Sequence, residues 1–163
     1  MKETKIKLVI TVFTLLLVAF LLITPVNYAK SAQGVPFRAT ADSTSVTVVP
    51  TSATVLEIFI TAVGQATHMG RIEIQQHHFA HLETGLFDGG VFVITAANGD
   101  SLEGTYSGYL TPTNVAGEFE IHGSLTFDGG TGRFADASGE GAASGIQHAD
   151  GTAELILDGM ITY

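Results

Sequence analysis

The sequence predicts an all-β fold, an eight-stranded antiparallel β-barrel preceded by an N-terminal hydrophobic helix, on three observations. Turn signals recur at strand-length intervals, as in Ala96-Ala97-Asn98-Gly99-Asp100 and Phe127-Asp128-Gly129-Gly130-Thr131-Gly132-Arg133-Phe134. Asn-Gly and Asp-Gly supply the positive φ angles of tight hairpins. Between these turns residue types alternate with period two and Thr, Val, Ile, Phe and Tyr recur, which is the strand signature. From Gly34 onward little helix periodicity of useful length interrupts the pattern.

Eight segments follow in order. The first covers residues 37–48, with Thr44, Val46 and Val48 in alternation, the second 55–66 and the third 71–81. The fourth, 85–96, is bulged or split near Asp88-Gly89-Gly90. The fifth covers 101–110 and the sixth 117–127, where Phe119, Ile121, Gly123, Leu125 and Phe127 share one face opposite Glu118, Glu120, His122, Ser124 and Thr126. A glycine-rich seventh spans 134–146. The eighth, 152–163, sets Ala153, Leu155, Leu157 and Ile161 against Glu154, Asp158 and Thr162. Eight short-looped strands in about 130 residues match a small barrel, although two packed sheets would show the same alternation. Glycines inside strands, such as Gly104, Gly108 and Gly123, fit sharp coiling or close approach of a ligand or strand.

Residues 1–31 have the pattern of a targeting segment. Lys2, Lys5 and Lys7 precede an apolar run over residues 8–23, Thr24-Pro25 breaks any helix, and Ala29-Lys30-Ser31 offers a cleavage site. At 16 residues the run is long for a signal core and short of the roughly 20 of a comfortable span. A cleaved signal peptide secretes the barrel domain, residues 34–163. An uncleaved anchor tethers it to the membrane through residues 8–23. Both readings place it outside the cytoplasm.

The exported part holds Arg38, Arg71 and Arg133 as its fixed cations against fifteen carboxylates, a formal charge of −12. No basic patch exists for phosphates, which argues against nucleic acid and against anionic lipid surfaces. Acidity on this scale serves solubility. The chain has no cysteine, so disulfide staples, thiol catalysis and thiolate metal sites are absent.

Three segments carry a resemblance: Ala66-Thr67-His68-Met69-Gly70-Arg71, Thr95-Ala96-Ala97-Asn98-Gly99-Asp100, and Gly129-Gly130-Thr131-Gly132-Arg133-Phe134-Ala135-Asp136-Ala137-Ser138-Gly139. Their order resembles a group of small exported bacterial proteins of unassigned function. The third also resembles the Gly-Gly-Thr-Gly-(basic)-Phe turn of the allene oxide cyclase and dirigent proteins. The likeness spans roughly residues 64–163. It implies a calycin-like, allene oxide cyclase-like barrel with a small-molecule cavity, trimeric assembly, no cofactor, and a role in ring closure, isomerisation or radical coupling. No local motif around any Glu or Asp matches the catalytic acids of those families, so catalysis is an analogy of fold.

The candidate residues follow from strand parity and turn position. His77 and His78 point to opposite faces, and His77 and His81 share a face about 13 Å apart at strand rise, which disfavours a metal site; surface or rim histidines are the simpler reading. His68 and Arg71 flank Gly70 in a turn. They are read as a polar pair at the barrel mouth that, with His78, would bind a ligand; the local alternative is backbone bonding by His68 and pairing of Arg71 with Glu73. Glu73, Glu103 and Tyr106 are the catalytic candidates, with His122 beside them, since a carboxylate facing an apolar lumen has its pKa raised. Glu118, Glu120 and His122 read better as an outer face. Gly129-Gly130-Thr131-Gly132 lacks the lysine and following helix of a phosphate loop. Asp100, Asp128, Asp136 and Asp150 match no calcium loop, and hairpin geometry accounts for them. The expected function is binding of a small apolar or mixed molecule, with cofactor-free catalysis as an extension; the alternative is a non-catalytic extracytoplasmic structural or interaction module, and a lumen filled by Ile, Leu and Phe would exclude the enzyme.

Overall fold

The computed structural model describes residues 34–163; the expected signal peptide or anchor over residues 1–31, with the expected hydrophobic helix, falls outside them. The strands are β1 Val35–Pro50, β2 Val55–Ala66, β3 Gly70–His81, β4 Leu86–Ala96, β5 Ser101–Pro112, β6 Phe119–Gly130, β7 Ser138–Gln147 and β8 Ala153–Thr162. Each pairs with its neighbours in sequence, and β8 returns to β1 from Ile161↔Val35 to Glu154↔Asp42, closing an antiparallel barrel. The closure excludes the two-sheet sandwich.

Three bulges set which residues face inward. Between Ser43 and Ser45 the first strand gains one residue on β2, so Phe37, Ala39 and Ala41 point in below it and Val46 and Val48 above it. On β4 the extra residue falls at Asp88-Gly89, as the sequence predicts, and it turns both Phe87 and Phe92 into the interior. A bulged strand bends and resets its alternation, which regular parity cannot do.

The third bulge corrects the boundary between the sixth and seventh strands. Gly129, at φ +133°, lets β6 continue to Gly130, which pairs with Leu102. The Gly-Gly pair is therefore strand, and the turn begins at Thr131. Phe134 ends a 3-10 turn, Gly132–Phe134, instead of opening β7.

That turn plugs one end. Phe134 is fully buried, its ring 4.8 Å from that of Tyr163, and it joins Phe37, Phe127, Leu102 and Ile161 in the core. The Thr131 hydroxyl accepts a hydrogen bond from the Ser101 amide at 3.0 Å, and Thr131 N–H donates to Ser101 O at 3.0 Å. Arg133 Nε lies 3.3 Å from Asp100 Oδ2, with its guanidinium over the Phe134 ring. The opposite end carries the turns after β1, β3, β5 and β7, and it is open. Val48, Leu82 and Leu86 there are 49%, 59% and 49% exposed.

Removing the Phe134 ring should destabilise the barrel by about 3–5 kcal/mol, the range for large-to-small core changes. Urea unfolding of Phe134→Ala against Phe59→Ala, an exposed ring on the outer wall, checks this; similar midpoints for the two would contradict the plug.

Candidate functional site

Above the packed end the lumen is hollow. The cavity measures about 370 Å³, room on the order of ten waters or more. Its wall is hydrocarbon from every strand, including Ile58, Ile60, Phe92, Leu110, Ile121 and Leu155.

Its existence depends on a row of small residues. Register places Phe87, Gly108, Gly123 and Ala143 side by side across β4 to β7. A Cβ on Gly108 would stand 2.5 Å from Phe87 Cζ, and one on Gly123 3.7 Å from the same atom. The Phe87 ring thus lies along the wall over two glycines and leaves the centre open. Cross-strand aromatic–glycine pairing recurs in Phe92↔Gly104 and Tyr106↔Gly90, where a ring covers backbone that a side chain would otherwise shield.

Two rings meet inside the cavity. His78 Nδ1 is 2.7 Å from Tyr106 Oη, and both lie against Phe87. Burial, and then the charge on neighbouring His77, lowers the His78 pKa to about 4, so the imidazole is neutral at pH 7. Burial raises the Tyr106 pKa above the ordinary phenol value, keeping its hydroxyl protonated. In one tautomer the Tyr106 hydroxyl donates to Nδ1 and Nε2–H is free; in the other Nδ1–H donates to Oη and the phenol O–H is free. Either way the pair offers one donor and one acceptor to a guest.

Of the catalytic candidates only Tyr106 lines the cavity. Glu73 and Glu103 project outward, because Ile72 and Ile74 on β3, and Leu102 on β5, take the inward positions. Glu73 accepts from Gln75 Nε2 at 3.0 Å and Glu103 from Ser101 Oγ at 3.2 Å. Of the ligand-binding candidates only His78 is inside. His68 and Arg71 lie at the plugged end, not at the mouth, since β2 and β3 join at the same end as the plug. His68, at φ +66°, donates Nε2–H to Pro36 O at 3.0 Å, which is the local role. Arg71 is exposed and makes no ion pair among the described residues. His77 faces outward, bonding Glu57 at 2.9 Å and stacking on Phe59. His122 is likewise on the outer wall, stacked on Tyr109 and bonded to the Thr111 hydroxyl. Asp100 pairs with Arg133, Asp128 accepts from Thr105, and Asp150 accepts from Thr152.

The sequence reading missed Gln76 and Gln147, both in the cavity wall. The signal for Gln76 was available: it sits two residues from Ile74 and two from His78, on their face of the strand.

The buried neutral imidazole fixes a pH dependence. The unfolded chain, at an ordinary 6.5, binds the proton more tightly than the folded one at about 4. His78 therefore leaves stability untouched above pH 6.5 and costs progressively more as pH falls toward 4, on the order of 3 kcal/mol below that. Thermal unfolding at pH 7 and pH 4 should show a smaller acid-induced drop for His78→Gln than for the parent; equal drops would mean that the ring titrates normally.

The chain matches no protein-family model, no curated protein and no solved structure, so the chemistry of this cavity is read from its own residues.

Proposed function

We propose that this protein is an exported β-barrel that holds a small apolar or mixed molecule in its lumen. The observation that carries the reading is the open, hydrocarbon-walled cavity with one hydrogen-bonded His78–Tyr106 pair inside it. A cavity of this size with few polar groups converging on it is the usual form of a small-molecule site. It would be an unnecessary cost in a purely structural barrel, because each missing methyl-sized volume weakens the core. The signal-like residues 1–31 support export, by secretion or by retention on an N-terminal anchor. The likeness of the turn segments to allene oxide cyclase and dirigent barrels supports the same use of the lumen, and with it a homo-oligomer, a trimer by that likeness.

Binding is favoured over acid–base catalysis by one feature. Among the described residues no carboxylate lines the cavity, so the proton abstraction expected of Glu73 or Glu103 is not theirs to perform there. A cyclase or coupling guide working here would act by folding its substrate within the wall.

Uptake of the uncharged dye phenylnaphthylamine, read by its fluorescence, tests the proposal. The parent should bind it, and Ala143→Phe, which grows a ring into the lumen, should weaken binding about tenfold or more while circular dichroism stays barrel-like. Native mass spectrometry of protein from its own culture should show a retained ligand. No dye uptake, no retained mass and no thermal shift with a metabolite library would sink the reading.

A further inference from the structure

We propose that the lumen selects uncharged ligands, taking a hydrocarbon body with one carbonyl or hydroxyl head held by Gln76, His78 and Tyr106. This rests on the binding reading above and names the ligand class for the same site. Three independent features carry it.

The first is the charge map. Not one Asp, Glu, Lys or Arg is among the residues that line the cavity, while the exported part holds fifteen carboxylates and three arginines. Every Asp, Glu and Arg of the described residues is therefore off the cavity wall. An ion entering such a space gives up its hydration shell, at a cost of several kcal/mol, with no counter-charge to offset it. A carboxylate also meets the negative field of the acidic exterior on its approach. A cation is drawn by that field, yet inside it meets amide, phenol and imidazole groups and no carboxylate among the described residues.

The second is the placement of the polar groups. Gln76 and His78 are two residues apart on the inner face of β3, about 7 Å along the strand. Tyr106 reaches His78 from β5 across Gly90 of β4. The three lie on a wall that is mostly hydrocarbon; its other hydrogen-bonding side chains are Gln147, on β7, and His81, whose Nε2 is 3.2 Å from Asp88 Oδ2.

The third is unfilled hydrogen-bonding capacity. The Gln76 amide and His78 Nε2 have no protein partner among the described residues, and neither is sealed away as a buried unsatisfied group. Both therefore open onto the lumen. The amide offers donors and an acceptor, and the His–Tyr pair one of each. A carbonyl or hydroxyl satisfies that set, whereas a pure hydrocarbon leaves it unmatched.

A displacement series on the dye-loaded protein at pH 7 tests the inference, using decanol, the methyl ketone of the same length, decanoate and decyltrimethylammonium below their micelle-forming concentrations. Decanol and the ketone should displace the dye at concentrations about tenfold or more below those of either ion. Gln76→Leu and Tyr106→Phe should each weaken displacement by decanol about fivefold, measured relative to each variant's own dye affinity. Displacement by decanoate or by the ammonium as strong as by decanol would overturn charge selection and leave the binding reading standing. Unchanged decanol affinity in both variants would overturn the role of these polar groups. Failure of the parent to take up the dye at all would remove the binding reading itself.

Discussion

The pairing of β1 with β8 is the constraint from which the rest of this structure follows. Once Val35 to Asp42 lie along Glu154 to Ile161 the sheet has no free edge over that length, and edge-to-edge association is blocked there. Closure also fixes the interior, because an eight-stranded barrel encloses just enough width for side chains to fill. Every inward position then has to fill that space, leave it empty, or be shaped by what lies opposite. The chain does the first at one end and the second at the other.

The filled end depends on aromatic rings and the empty end on their confinement to the wall. Phe37 meets Phe127 edge to face at 5.1 Å, Phe127 meets Phe92 at 5.8 Å, and Phe92 stands 6.4 Å from Tyr106. This column runs from the Phe134 plug up to the His78–Tyr106 pair, so the floor of the cavity is the top of the core. The bulge at Asp88-Gly89 is what brings Phe87 and Phe92 to one face. Without it Phe87 would point outward and the cavity would lose the ring that backs the His78–Tyr106 pair. Stability and site are thus two uses of one aromatic cluster.

The barrel was legible in the sequence because antiparallel hairpins are local: turn residues and alternation report on neighbours a few positions apart. The second strand, 55–66, and the bulge of the fourth were readable for that reason. Depth along the barrel was not. Whether a turn lies at the plugged or the open end depends on where all eight strands converge, and the residues of the His68–Arg71 turn carry no sign that it sits at the plugged end. Side was readable only where alternation had contrast. Glu120 and His122 oppose Phe119 and Ile121, whereas Glu103 sits beside Leu102 and Gly104, which carry too little contrast to fix its side. Gly129-Gly130 read as a turn because a bulge and a turn use the same positive-φ glycine. In this chain the segment completes a strand and builds the plug.

The ionisation of the His78–Tyr106 pair bears on what the lumen does with a guest. A general base works best with a pKa near the operating pH, and His78 at about 4 is far too weakly basic for that. Tyr106, its pKa raised, is a correspondingly poor acid. The same burial that spoils the pair for proton transfer strengthens it as a hydrogen-bonding site, because in a low-dielectric wall an unmatched donor or acceptor is costly and a matched one is favoured. The two rings also hold each other in one geometry before any ligand arrives, which reduces the ordering cost of binding. Both properties favour the proposed binding role for the pair over proton transfer. On the binding proposal, a reaction within the lumen would rest on the wall holding a guest in one fold, because the His78–Tyr106 pair meets it by hydrogen bonding and not by proton transfer.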